Sequence, residues 1–100
     1  MISGAHRRRR SIAGTSVPRI APHIDMRFDE TRGKWIILAP ERLFLPDEQA
    51  LAILKKIDGT KSIDAIVDEL VIAYRAPRHV IATDVMAMMQ TLADKGVVDA

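Results

Sequence analysis

Residues 27–54, RFDETRGKWIILAPERLFLPDEQALAIL, decide the fold of this chain. Short apolar runs alternate with turn residues, which is typical of strands joined by tight connections. Gly33 suits the positive φ of a hairpin turn, and Pro40 indicates a corner because it cannot donate to a ladder. After Pro46 the apolar positions recur at helical spacing. The stretch therefore predicts two strands, a corner, a short third strand over residues 43–45 and then a helix.

The predicted sheet is small and one of its edges is open. Residues 24–28 alternate apolar with polar side chains, which is the period of a half-buried strand. Residues 34–38 (KWIIL) are almost continuously apolar, so we expect them to form the central strand, covered on both faces. Nothing after residue 45 has the pattern of a strand long enough to cover the third one. The sheet is therefore expected to end in an uncovered edge strand.

Three amphipathic segments follow the sheet. The first covers residues 47–57, and the second begins after Ser62, a good N-cap, and ends near Tyr74. The third spans roughly residues 78–95 and is closed by Gly96. The fold class is therefore α+β, with a three-stranded antiparallel sheet followed by a three-helix bundle. The order of the helices resembles a winged helix-turn-helix with its small sheet placed first.

Charge divides the chain into two parts. Residues 1–17 lack periodicity and include four consecutive arginines at 7–10, so we expect a disordered basic tail before a folded domain over residues 18–100. The tail would suit an acidic partner or RNA, although a solvated tail or an upstream start site explains it more simply. Residues 33–100 carry eight Lys and Arg against ten Asp and Glu. The domain therefore lacks the basic patch that nucleic-acid binding normally needs.

Several kinds of chemistry are missing from the sequence. The absence of cysteine excludes thiolate metal sites, disulfides and a thiol nucleophile, and it fits a reducing cytoplasm. No apolar run approaches the roughly 18 residues of a membrane span. His6, His23 and His79 stand apart and do not have the spacing of a metal pair. We find neither a nucleophile elbow nor a phosphate loop. We therefore predict that the protein is not an enzyme, with no catalytic residue, no metal and no cofactor of its own.

Two kinds of binding protein remain to be weighed. A small sheet with an open edge suits an extended peptide that adds as a strand. A winged-helix DNA-binding regulator is the alternative, and its recognition helix would need polar side chains aimed at base edges. The third helix offers Arg78, Gln90 and Lys95, but methionines stand where polar readers would be expected, and the second helix is acidic. The residues therefore favour peptide binding.

The methionines of the third helix indicate where the side chains of such a peptide would lie. Met86 and Met89 cannot both lie on the main apolar stripe of this helix, so at least one is expected at its margin. The stripe comprises Ile81, Val85, Met88 and Leu92. Flexible Met side chains at a margin suit a groove that receives varied apolar groups. An open edge strand also permits pairing between two copies, so a homodimer stays open.

Taken together, these features resemble the PqqD family over residues 18–98. Each feature alone is a weak motif, but their order and spacing are specific. The matching residues are Arg27, the turn before Gly33, Trp35 with its apolar strand, Leu38-Ala39-Pro40-Glu41, residues 50–54, Asp58-Gly59, Ser62, Ile66, Leu70, Tyr74, Asp84-Val85, Leu92 and Gly96.

The resemblance implies a peptide chaperone of pyrroloquinoline quinone (PQQ) biosynthesis, with the fold of a recognition element for ribosomally made, modified peptides (RiPPs). Such a protein binds the precursor peptide PqqA and presents it to the radical SAM enzyme PqqE. The iron–sulfur clusters and S-adenosylmethionine would belong to that enzyme. The peptide adds to the third strand and packs on the third helix. The residues so implied are Arg42, Leu43, Phe44 and Leu45 for main-chain pairing, with Val85, Met86 and Met89 for side-chain pockets.

Overall fold

The computed structural model describes residues 12–100, which form five short strands and three helices. The strands are β1 (Arg19–Ile20), β2 (Asp25–Asp29), β3 (Lys34–Ala39), β4 (Arg42–Phe44) and β5 (Val98–Asp99). The helices are α1 (Glu48–Leu54), α2 (Ile63–Tyr74) and α3 (Arg78–Asp94). The predicted α+β order, an antiparallel sheet followed by three helices, is confirmed. None of the helices in this part of the chain is long and apolar enough to cross a membrane.

The main sheet has the strand order β2-β3-β4, with both pairs antiparallel. The apolar strand β3 is central, as its sequence predicted. β4 pairs with β3 from Phe44 opposite Ile37 to Arg42 opposite Ala39. The third strand thus lies one residue earlier than predicted, because Leu45 leaves the ladder where the chain turns toward α1.

Local signals explain the connections of this sheet and of the helices. Gly33 has a φ of 67° in the turn between β2 and β3, a left-handed conformation that a residue without Cβ adopts readily. The side chains of Asp47 and Ser62 accept the N–H groups that begin α1 and α2, as caps do. Helix α1 ends three residues earlier than predicted. Its last turn tightens into i→i−3 hydrogen bonds, one of them from Ile57 N to Leu54 O at 3.1 Å.

A second sheet was not predicted. β1 pairs antiparallel with β5, so that Arg19 lies opposite Asp99 and Ile20 opposite Val98. Strands of two residues are too short to show a period in the sequence. The pair links the two ends of the described chain and brings the buried Val98 into the core.

The core lies between one face of β3 and the three helices. Its residues are aliphatic apart from one methionine, as the low aromatic content requires. The buried cluster comprises Ile37, Ile53, Leu54, Ile63, Ile66, Val67, Leu70, Val85, Met89, Leu92, Val97 and Val98.

The segment before β1 contacts the start of α2. The N–H groups of Asp64 and Ile63 donate to the carbonyls of Gly14 and Ser16, each at 2.9 Å. A Cβ on Gly14 would overlap the Asp64 carboxylate, so a larger residue there would require that exposed side chain to move. Residues 12–17 therefore already contact the fold. The rest of the predicted tail, residues 1–11 with the four arginines, lies outside the described residues.

Candidate binding groove beside an open strand edge

β4 is an edge strand, since within residues 12–100 only β3 pairs with it. In an antiparallel edge strand the backbone N–H and C=O groups point alternately toward the partner and toward the open side. The strand borders a groove of about 490 Å³ whose other wall is the C-terminal half of α3. The lining residues are Ile37, Leu43, Phe44, Leu45, Pro46, Asp47, Ala50, Met88, Thr91, Leu92, Lys95 and Val97. The structure thus places the open edge and the third helix side by side.

The two faces of β4 have different surroundings. Phe44 lies opposite the buried Ile37. Because directly opposed residues share a face of the sheet, Phe44 is on the inner face, where it is half-buried. Leu43 lies opposite Leu38 on the other face and is 42% exposed. Leu45, just beyond the strand, is 55% exposed. The edge therefore offers apolar side chains to a ligand on both faces.

None of the three α3 residues implied for side-chain pockets lines the groove beside β4, and their contact with a peptide stays a prediction. Val85 is 2% exposed and Met89 is fully buried, so both belong to the core. Met86 is half-buried but does not line the groove. Met88 forms the wall instead, although its place on the apolar stripe favoured a core role.

The residues of α3 that sequence reasoning missed follow a helical spacing. Met88, Thr91, Leu92 and Lys95 recur at i, i+3, i+4 and i+7, which is one face of a helix. Only two residues of this face are apolar, Met88 and Leu92, and the face ends in a lysine. The spacing alone therefore did not mark it, because many solvent-exposed helix faces look the same.

The groove is positively charged at one end. The Arg42 guanidinium carbon and the Lys95 Nζ each lie 5.6 Å from the centroid of the Phe44 ring, within cation–π range. The one carboxylate that lines the groove, Asp47, accepts the Ala50 N–H at 2.8 Å and caps α1. Lys95 thus lines the groove and Arg42 lies beside its Phe44 wall, while the one acid of the lining caps a helix.

A second cavity of about 410 Å³ lies among the helices, away from β4. It is lined by Glu48, Gln49, Ala52, Ile53, Leu70, Tyr74, Ile81, Asp84 and Val85. It has no strand edge that could pair with a peptide backbone. Of the two cavities, only the groove beside β4 combines main-chain groups with apolar walls.

The carboxylates with shifted pKa values lie outside both cavities. Backbone N–H groups of Thr60 and Lys61 donate to Asp58 at 2.8 and 3.0 Å and lower the pKa of its carboxyl. Lys56 and Lys61 do the same for the pKa of Glu69. These contacts stabilise the connection between α1 and α2. Within residues 12–100 no group of three or more His, Cys, Asp or Glu could hold a metal ion.

The sequence and the fold match those of a known family. Residues 34–98 match the family model described as coenzyme PQQ synthesis protein D (PqqD). The chain belongs to the PqqD family. A relative from Rhodopseudomonas palustris (strain BisB5), named PqqA binding protein, is 50% identical over 86 residues, which is 86% of this chain and 84% of that protein.

Solved structures extend the PqqD comparison. The NMR structure of the PqqD truncation of Methylobacterium extorquens PqqCD is described as a functional, stand-alone RiPP recognition element. It has a TM-score of 0.75 and 38% identity, and the match covers 90% of this chain and 96% of that one. Lasso peptide synthetase B1, solved with its leader peptide, has a TM-score of 0.72 at 17% identity and so shows a shared fold alone. The winged-helix-like fold expected from the sequence is thereby confirmed.

Proposed function

We propose that the protein binds the precursor peptide PqqA as an added strand on β4 and presents it to the radical SAM enzyme PqqE in PQQ biosynthesis. The observation that carries this proposal is the open edge of β4 beside the groove walled by α3. The relatives named PqqA binding protein and the recognition element from Methylobacterium extorquens support it.

Strand addition suits the geometry of this edge. A peptide that pairs with β4 would satisfy the outward main-chain groups, and its alternate side chains would point to opposite faces. Those on one face would meet Phe44, Met88 and Leu92 in the groove. Those on the other face would cover the exposed part of Leu43, which also borders the groove. Main-chain pairing would supply affinity, and the groove would supply specificity.

The proposed role is to hold a substrate rather than to transform it. His23 and His79 are both exposed and neither lines a cavity, so a general base has no candidate among the histidines of residues 12–100. A leader segment held on β4 leaves the rest of the peptide free to enter the active site of PqqE. We place this encounter in the cytoplasm.

The DNA-binding alternative has less support from α3. Arg78 forms ion pairs with Asp64 and Asp68 and is therefore engaged within the protein. Lys95 lies over the ring of Phe44 in the groove. Of the three polar residues that sequence analysis offered as base readers, only Gln90 is left, and it donates to Asp94 at 3.0 Å.

Calorimetry with synthetic PqqA and singly N-methylated versions of it would test the proposal. N-methylation removes one peptide N–H at a time and leaves the protein unchanged. We expect affinity to fall at alternate positions over a short segment, because only every second N–H of an added strand faces its partner. Lack of binding by unmodified PqqA, or equal binding by every methylated peptide, would overturn the proposal.

The surface of contact can be tested in parallel by mapping amide shifts on titration with PqqA. The largest changes should fall at Arg42, Leu43, Phe44 and Leu45 and in the second half of α3. Changes confined to the cavity among the helices would place the peptide elsewhere. A homodimer that pairs through β4 would compete with the peptide, so it should dissociate as PqqA is added.

A further inference from the structure

We infer that the groove selects its peptide by charge: Arg42 and Lys95 together receive an acidic side chain of the bound segment over the ring of Phe44. The inference rests on the proposed function, since it assumes that the peptide pairs with β4. It adds a substrate class, namely an apolar segment that carries an Asp or Glu at one defined position.

The first observation is that two cations converge on one aromatic ring. Arg42 is on β4 and Lys95 follows the end of α3, and their charged groups are each 5.6 Å from the Phe44 centroid. Each charged group is attracted to the ring, while the two like charges repel each other. An anion placed between them would be attracted by both.

The second observation is that the protein itself supplies no such anion. Neither Arg42 nor Lys95 forms an ion pair within residues 12–100. Five of the other cations in this part of the chain do form ion pairs, namely Arg27, Arg32, Lys56, Lys61 and Arg78. Asp47, the carboxylate in the groove lining, is occupied as the N-cap of α1. The two cations at the groove are therefore available to a ligand.

The third observation concerns the remainder of the groove, which is apolar. Met88 and Leu92 form the wall, while Ile37 and Val97 lie at its base. A peptide made only of charged residues would leave these groups without contact. The groove therefore fits a segment in which one carboxylate accompanies aliphatic or aromatic side chains, and the carboxylate fixes the register of the added strand.

The test compares synthetic PqqA with versions in which each Asp or Glu is replaced in turn by Asn or Gln, by calorimetry with the full chain. We expect one replacement to lower affinity about five- to tenfold, as charge pairs at partly desolvated interfaces do. Arg42→Gln and Lys95→Gln should lower the affinity for unmodified PqqA by a similar factor. For the peptide that lacks the critical carboxylate, neither variant should bind more weakly than the wild-type protein does.

Lys55→Gln is the matched control. The Lys55 Nζ also lies over an aromatic ring, 4.9 Å from the centroid of Trp35, but the residue does not line the groove. Lys55→Gln removes the same net charge as Lys95→Gln but does so away from the groove, so the affinity for PqqA should be unchanged. Added salt should weaken PqqA binding to the wild-type protein more than to Lys95→Gln, because salt screens a charge pair that the variant no longer forms. Thermal unfolding of each variant checks that the fold is intact.

The outcomes separate the two proposals. If PqqA binds and no Asp or Glu replacement matters, charge selection is overturned and peptide binding stands. If Lys55→Gln weakens binding as much as Lys95→Gln, the effect is that of net charge and the local site is overturned. If unmodified PqqA does not bind, the proposed function fails and charge selection fails with it.

Discussion

Within residues 12–100 the main sheet has two open edges, and they differ in what surrounds them. β2 carries the ion pair of Arg27 with Asp25 and ends in the edge-to-face contact of Phe28 with Trp35, whose ring centroids are 5.9 Å apart. β4 is shorter and is followed by Leu45, which is exposed. In the described part of the chain, β4 borders a groove with α3 as its second wall, and β2 lines neither cavity.

This difference shows that an unpaired edge does not by itself make a binding site. Charged side chains on an edge strand discourage the addition of another strand, and β2 has such charges at Asp25, Arg27 and Asp29. At β4, α3 provides apolar contacts that continue beyond the backbone. Main-chain hydrogen bonds are individually modest in net free energy, so an added strand needs those contacts as well.

Two neighbouring substitutions distinguish a residue of α3 that lines the groove beside β4 from one that belongs to the core. Met89 is fully buried, so Met89→Ala should lower the free energy of unfolding by about 2–5 kcal/mol. Met88→Ala removes a half-buried side chain and should cost only about 1 kcal/mol, while it weakens PqqA binding. Urea unfolding and calorimetry measure the two effects. Equal losses of stability would mean that Met88 also belongs to the core.

The backbone of the β4 edge can be tested at its end. Leu45 lies outside the ladder with β3, so Leu45→Pro should leave the sheet intact and remove an N–H available to a peptide. We expect PqqA affinity to fall by about tenfold, roughly one lost hydrogen bond. Leu45→Ala is the matched control, since it shortens the side chain but keeps the N–H.

The β2 edge supplies the second control for that experiment. Phe28 is 48% exposed on β2, so Phe28→Ala should leave PqqA affinity unchanged. Weaker binding by Phe28→Ala, with no effect of Leu45→Pro, would move the peptide to the opposite edge of the sheet.

Acid should affect stability through a region remote from both edges. The pKa of Glu69 is lowered in the folded state by Lys56 and Lys61. The contribution of Glu69 to the free energy of unfolding is therefore fully present above the ordinary glutamate pKa of 4.5. It is lost as the pH falls through the lower pKa of the folded state. The free energy of unfolding should decrease in that range, and Glu69→Gln should reduce the decrease. A variant with the same pH dependence as the wild type would contradict this assignment.

The smallest expected effect lies at the corner between α2 and α3. Arg75 caps α2 with a φ of 53°, a left-handed conformation that glycine adopts at lower cost. Arg75→Gly should raise the free energy of unfolding by about 0.5–1 kcal/mol and leave PqqA affinity unchanged. Thermal unfolding measures the first and calorimetry the second. Destabilisation would show that the arginine side chain contributes more than its backbone conformation costs.

The features predicted correctly from the sequence are those with local causes. Ser62 caps a helix because its hydroxyl accepts an N–H three residues on, and Gly33 suits the hairpin turn because it has no Cβ. The β1–β5 pair was missed because its partners are nearly eighty residues apart in the chain and each strand has only two residues. No local pattern encodes a pairing of that kind.

The candidate site shows the same division within a few residues. The sequence by itself determined that a short apolar strand follows a corner, that a methionine-rich helix closes the domain, and that the chain belongs to the PqqD family. Only the tertiary structure decided which methionine lines the groove. Successive residues of a helix are rotated by about 100°, so the packing of Val85 and Met89 into the core turns Met88 and Lys95 toward β4.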